Sequence, residues 1–251
     1  MVLRSPVPAP PSPPLPRRTL AEETLVVLSL SLLESAVYAI IHLLEEPIRG
    51  VTAYSVSQSA VLARQLVGVA FGLAPVWLVL YLVRRNGEGL GAIGMALDRP
   101  RRDLAAGVLL FMVVGIGGIA VYLGAVALGV NRFVVPVPPM GHWWTVPVLL
   151  LRAAEAALLE EVIVVGYLVT RLQQLRVGPA AAVGASAVMR GSYHLYQGFG
   201  GFFGNVAMGL LFAFVFVRTR RTWPLVVAHF LLDVGAGVGY LLFREHLPGF
   251  S

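Results

Sequence analysis

Seven stretches of about 20 mostly apolar residues dominate this chain, each the length of a helix that crosses the hydrocarbon core of a bilayer. They fall near 24–44, 61–83, 104–128, 145–170, 179–197, 203–218 and 223–243. In hydrocarbon each segment must satisfy its own backbone N–H and C=O groups, so such stretches are expected as helices and not as isolated strands. Of the 251 residues 57% are hydrophobic and 13% charged, against about 25% charged in a soluble domain. The mean hydropathy is +0.80. The fold class expected is therefore all-α, a polytopic transmembrane helix bundle of about seven spans.

The basic residues set the orientation. All 19 are arginine. Arg4, Arg17 and Arg18 precede the first stretch; Arg84, Arg85, Arg99, Arg101 and Arg102 follow the second, Arg171 and Arg176 the fourth, and Arg218, Arg220 and Arg221 the sixth. The opposite loops hold Arg49, Arg132 and Arg244 alone. The positive-inside rule then gives a cytoplasmic N-terminus, an outward C-terminus and residence in the plasma membrane. A pI near 10.2 is accordingly a topology signal, and the expected partner is the lipid bilayer, with no nucleic acid.

Residues 1–20 hold seven of the 17 prolines and read as a disordered, cytoplasmic, Pro-rich tail. They lack the apolar core and cleavage site of a signal peptide, so the tail is expected to be retained. Residues 21–251 form the bundle. With no cysteine in the chain, disulfides, thiolate metal sites and a cysteine nucleophile are excluded.

Ionisable residues inside a membrane are costly and mark function by default. Glu160 and Glu161 interrupt the fourth stretch, about 100° apart on an α-helix, so that one can face a cavity while the other turns to a neighbouring helix. Arg190 and His194 are four apart on the fifth stretch, and His229 and Asp233 are four apart on the seventh. Carboxylates and imidazoles in a dry interior are the parts that activate a water molecule. Arg152 and Glu155 read as a local ion pair, and His142 with Trp143 and Trp144 as an interfacial aromatic belt. Glu34, Tyr38, His42 and Arg64 are candidates to line a substrate path. Gly235-x-x-x-Gly239 and Gly200-x-x-x-Gly204 read as close helix packing. Counting from the start of each helix places His194 about 24 Å in and His229 about 9 Å in. The two meet only if the fifth helix tilts or begins well outside the membrane.

The order of these motifs resembles the CAAX prenyl endopeptidase and bacteriocin-processing family, the abortive-infection family of integral membrane glutamic peptidases. The resemblance covers roughly 90–243. It includes Ile93–Leu104, which is similar to a basic, proline-containing segment before a family helix. The family's Glu-Glu-x-x-x-Arg is matched by Glu160 and Glu161, with Val165 at the arginine position. Its Phe-x-x-x-His is matched by His194, with Arg190 at the phenylalanine position. Its His-x-x-x-Asn is matched by His229, with Asp233 in place of asparagine. The lost arginine and the gained Arg190 suggest compensation, Arg190 reaching Glu161 from the next helix.

The resemblance implies an endopeptidase acting on a peptide or protein with a membrane-associated segment, near the cytoplasmic half of the bilayer. Glu160, assisted by His194, would activate the attacking water, and His229 with residue 233 would stabilise the oxyanion. Asp233 must then be protonated, or orient His229, or serve otherwise. No cofactor is expected. If a metal took part, its ligands would be His194, His229, Glu160 and Asp233, but the family precedent and the absence of His-Glu-x-x-His favour a metal-free reaction. A non-catalytic relative acting as an immunity or scaffold protein is the alternative, and a small proton-coupled transporter a second.

Overall fold

The computed structural model describes residues 15–44, 58–129 and 141–243. In chain order these form α1 (Arg17–Leu44), α2 (Gln58–Gly72), α3 (Ala74–Arg85), α4 (Pro100–Ala127), α5 (Thr145–Glu160), α6 (Leu168–Gln174), α7 (Pro179–Tyr193), α8 (Phe199–Thr219) and α9 (Trp223–Phe243). A π-helical stretch, Glu161–Tyr167, joins α5 to α6 as one helix, and 3-10 turns lie at Leu90–Ile93 and Leu195–Gln197. No strand occurs among the described residues.

Each expected stretch is helical where described, but among the described residues four segments are long and apolar enough to cross a bilayer: Val61–Arg85, Pro100–Ile119, Phe199–Thr219 and Trp223–Leu242. The others differ for visible reasons. α1 opens with Arg17, Arg18, Glu22 and Glu23, and the 145–174 helix carries Arg152, Glu155, Glu160 and Glu161. α7 is only 15 residues long. It stops at Tyr193 rather than running to 197, and Gly198, at φ 92°, turns the chain into α8 ahead of the expected 203. α1 begins at Arg17, inside the stretch read as tail; residues 1–14 lie outside those described. Large apolar side chains cover the outside as well as the core: Trp77 is 67% exposed, Leu109 67%, Ile116 69% and Phe199 63%. Helices apolar all round belong in a core or a bilayer.

The 145–174 helix is the central strut. Every residue from Glu161 to Arg171 is buried. Val162, Ile163 and Val164 pack with α1 and α3 through Val27, Leu32, Val79 and Val83, while Val165 and Val169 pack with Phe212, Phe216 and Ala228 of α8 and α9. Four consecutive β-branched residues, Val162 to Val165, crowd the preceding turn of an α-helix, and the wider π turn relieves that crowding. The Val164 carbonyl accepts a hydrogen bond from Ser186 Oγ of α7 at 2.8 Å, which sets α7 antiparallel to the strut. Of the glycines read as packing points, Gly239 has open space at its Cβ position, whereas a Cβ on Gly237 would stand 2.6 Å from Leu149. The close approach of α9 to α5 is therefore at Gly237.

The arginine-bearing loops meet at one end of the bundle. Arg221, just before α9, donates from Nε to Asp103 Oδ1 at 3.0 Å and from Nη2 to the Ala96 carbonyl at 2.8 Å, and pairs with Asp98 as well. Thr222 donates from Oγ1 to the Ile93 carbonyl at 2.6 Å and from its backbone N–H to the Gly94 carbonyl at 2.9 Å. A Cβ on Gly166 would stand 2.8 Å from the Ile93 carbonyl oxygen and 3.0 Å from Thr222 Oγ1. The start of α9 is thus recessed to the level of Gly166, just over one turn from Glu161. α7, by contrast, starts past the end of α6. This stagger resolves the unequal depths counted from the two helix starts.

Candidate active site

Glu161 closes α5 and is fully buried, with 0% side-chain exposure. Arg190, in the last turn of α7 and 1% exposed, donates from Nη1 to Glu161 Oε1 at 2.8 Å, while its Nη2 lies 3.2 Å from Glu160 Oε2. Its guanidinium also lies over the Phe212 ring at 5.4 Å, and Val165 packs in the same cluster as Phe212. Arg190 thus borders the buried cluster that contains Val165, the position of the motif's arginine.

His229 of α9 stands between two carboxylates. Its Nδ1 is 2.8 Å from Glu161 Oε1 and its Nε2 is 3.5 Å from Asp233 Oδ2. Arg190 Nη2 also lies 3.1 Å from Nδ1, and one ring nitrogen cannot both donate to the carboxylate and accept from the guanidinium. An ionised carboxylate only accepts. As Glu161 Oε1 accepts from Arg190 Nη1, Nδ1 carries a hydrogen for the same carboxylate, and Arg190 Nη2 is left with an ion-pair contact to Glu160 at 3.2 Å.

His194 follows the last residue of α7. Its Nδ1 lies 2.9 Å from the Arg190 carbonyl oxygen, which can only accept, so Nδ1 carries the proton and the neutral ring keeps its lone pair on Nε2. The ring is flanked by Tyr193, 4.8 Å between centroids, and Tyr196 at 6.2 Å. Glu160 lies within electrostatic range of His194, His229 and Arg190. The early end of α7 leaves this side less covered: Glu160 is 12% exposed, Asp233 40% and Tyr196 37%.

Tyr193 is the member that motif reading missed. Its hydroxyl donates to Glu160 Oε2 at 2.7 Å. The signal was present, since Tyr193 is three residues past Arg190 and so shares its helix face.

Glu160, Glu161 and His229 each offer a donor atom, and these lie within 4.8 Å of one another. This trio differs from the set His194, His229, Glu160 and Asp233 that the sequence suggested. Arg190 already approaches all three, so a divalent cation there would sit against a permanent positive charge. These residues do not fit a metal.

Arg152 and Glu155 form the expected local pair at 3.0 Å, extended by a bond from Arg152 Nε to Gln65 at 3.2 Å. His142 stacks on Trp144 at 4.6 Å and Trp143 is 81% exposed. The side chains of Glu34, Tyr38, His42 and Arg64 lie outside the described residues.

An apolar helical bundle enclosing paired carboxylates, imidazoles and a buried guanidinium defines an integral membrane protein with a polar interior site. Residues 142–235 match the family described as Type II CAAX prenyl endopeptidase Rce1-like, a protease family. The resemblance drawn from the motifs is thus borne out over a stretch narrower than 90–243, one that runs from before α5 into α9 and holds Glu160, Glu161, Arg190, His194, His229 and Asp233. No curated protein and no solved structure matches the chain.

Proposed function

We propose that the protein is an intramembrane endopeptidase of the CAAX and bacteriocin-processing type in which Glu160 activates the attacking water. The observation that carries this reading is the division of labour between adjacent carboxylates. Glu161, held on Oε1 by Arg190 and His229, is sealed at 0% exposure, whereas Glu160, held on Oε2 by Tyr193, is 12% exposed at the less covered side. A brace needs the first and has no use for the second.

Glu160, with His194 beside it, takes a proton from water as the water oxygen bonds to the peptide carbonyl carbon. The carbonyl oxygen becomes an oxyanion facing His229. At 3.5 Å from Asp233, His229 Nε2 makes no full hydrogen bond there, so as an imidazolium it has a proton free for the oxyanion. Asp233 then orients and charge-balances that ring in place of the family asparagine. Collapse of the intermediate breaks the C–N bond, and the proton on Glu160 passes to the leaving amine. Arg190 supplies the positive charge that Val165 lacks.

The substrate is a peptide or protein with a membrane-associated segment, cut near the cytoplasmic half of the bilayer. The gathering of arginine-bearing loops at one end supports a cytoplasmic N-terminus, an outward C-terminus and seven spans.

The test uses purified protein in liposomes with an internally quenched peptide library, comparing wild type with Glu160→Gln. We expect cleavage to fall by at least about 10³-fold, the scale on which loss of a catalytic group acts, with thermal stability near wild type and no sensitivity to chelator. If wild type cuts nothing and Glu160→Gln chiefly lowers stability, the glutamates are a brace and the protein is a non-catalytic relative.

A further inference from the structure

We propose that Tyr193 is a positioning residue for Glu160: its hydroxyl keeps the carboxylate turned so that one oxygen stays off the guanidinium and open to water. The inference rests on the reading of Glu160 as the base that activates water.

Tyr193 is buried, 6% exposed, in the last turn of α7, and packs against the core on the α1 and α3 side of the strut. Its O–H donates to Glu160 Oε2 at 2.7 Å, and Arg190 Nη2 lies 3.2 Å from the same oxygen. Among the described residues the Tyr193 hydrogen bond and the Arg190 ion-pair contact both fall on Oε2, and no hydrogen bond falls on Oε1.

That asymmetry matters because of what Arg190 would otherwise do. A guanidinium is a fork whose donors match both oxygens of a carboxylate, and bidentate pairing is its preferred geometry. The terminal torsion of a glutamate is broad and roughly two-fold, so little intrinsic cost opposes the turn that would present both oxygens to the fork. A carboxylate engaged in that way has a lone pair on each oxygen committed to the cation and is a weaker base toward water, even though lone pairs remain. Tyr193, approaching Oε2 as a neutral donor beside the arginine, fixes the torsion against that turn. Glu161 differs in access rather than in pairing: Arg190 and His229 both meet its Oε1, its Oε2 has no hydrogen-bond partner among the described residues, and its side chain is sealed from solvent, so no water reaches it.

The residues facing Glu160 make the effect specific to Tyr193. Arg190 and Tyr193 approach from α7 and His194 from the turn after it; Glu161 lies on its own helix, and His229 and Asp233 lie on α9. The Tyr196 hydroxyl also lies within electrostatic range but accepts from Gln197, so among the described residues Tyr193 is the neutral hydroxyl that donates to Glu160.

Tyr193→Phe removes the hydroxyl and keeps the ring. With the internally quenched peptide that wild type cuts fastest, we expect kcat to fall about 10- to 100-fold, the range for a misaligned catalytic group, with KM within about twofold and the melting temperature within about 2 °C. Placing 4-aminophenylalanine at 193 restores a neutral N–H donor at the same point of the ring, and should recover most of the lost kcat. Unchanged kcat in Tyr193→Phe would overturn the inference. So would a loss accompanied by a lower melting temperature and not recovered by the amine, which marks a packing role. Cleavage abolished by Glu160→Gln but untouched by Tyr193→Phe rejects this inference alone; a wild type that cuts nothing rejects both readings.

Discussion

Two arginines are sealed inside this bundle on comparable terms, and only one of them belongs to the proposed site. Arg171, at 0% exposure, donates from Nη1 to Glu88 Oε1 at 2.9 Å and to Gln174 Oε1 at 2.6 Å, and lies over the Tyr167 ring at 4.8 Å. One guanidinium meets one carboxylate, with an amide and an aromatic face completing its surroundings, so the charges balance in pairs. Arg190, at 1% exposure, meets two carboxylates and an imidazole, and that imidazole faces a third carboxylate in Asp233. Neutralising one buried cation does not require this much. A buried arginine therefore says little by itself; the excess of titratable partners around it separates machinery from brace.

The sharpest way to break the comparison is to remove each arginine. Arg190→Phe places the motif's phenylalanine but removes the guanidinium from both carboxylates, leaving Glu161 to His229 in the core and Glu160 to Tyr193 and the two imidazoles. Loss of one partner of a buried pair costs about 3–5 kcal/mol, and we expect a destabilisation of that order in thermal unfolding, together with loss of cleavage. Val165 lies in the same buried cluster as Phe212, over which Arg190 sits, and adding Val165→Arg should recover a substantial part of the stability. A double variant no more stable than Arg190→Phe would show that the two positions do not exchange roles.

This exchange could be read in the sequence because it depends on spacing within helices and on the cost of a buried charge. The glutamate pair, the histidines four residues from a polar partner, and the loop arginines belong to the same kind of reasoning. What escaped was set between elements. The π turn at Glu161–Tyr167 answers local crowding, but its site depends on partners from α7 and α9. The recess of α9 is made by Thr222 bonding to Ile93 and Gly94, residues far apart in sequence, so counting from each helix start gave unequal depths. Spacing puts Tyr193 on the face of Arg190, but the partner of its hydroxyl, Glu160, lies on another helix.

The recess offers a finer cut, since it separates geometry at the site from the charges there. Gly166→Ala places a methyl carbon against the Ile93 carbonyl and Thr222 and pushes the start of α9 away from the strut without altering an ionisable group. Overpacking of this kind costs about 1–3 kcal/mol. His229 should shift relative to Glu161, and misplacement of about 1 Å can cost on the order of 10²-fold in rate. We expect kcat in the liposome assay to fall well beyond what the stability loss accounts for at a temperature where the variant remains folded. Wild-type kcat in a destabilised variant would show that the recess matters to the fold alone.

The smallest effect belongs to the brace, and its pH dependence has a definite sign. Burial alone would raise the Glu88 carboxyl, but hydrogen bonds from Arg171 and Gln174 outweigh it and hold the group below its ordinary value. A carboxyl depressed in the folded state contributes stability that is fully present above the unfolded value of about 4.3 and is lost as pH falls through the lower folded one. Arg171→Gln should therefore cost about 1–2 kcal/mol near neutral pH, the scale of a charge-assisted hydrogen bond, because Glu88 is 24% exposed and can turn to water. Cleavage per folded molecule should be unchanged. Melting temperatures of wild type and variant should converge as pH is lowered from 7 through about 4 and below, since protonated Glu88 no longer distinguishes them. A gap that stays constant with pH would mean that Arg171 acts through Tyr167 and packing rather than through Glu88. A drop in cleavage at neutral pH would mean that the two arginines are not the separate devices drawn here.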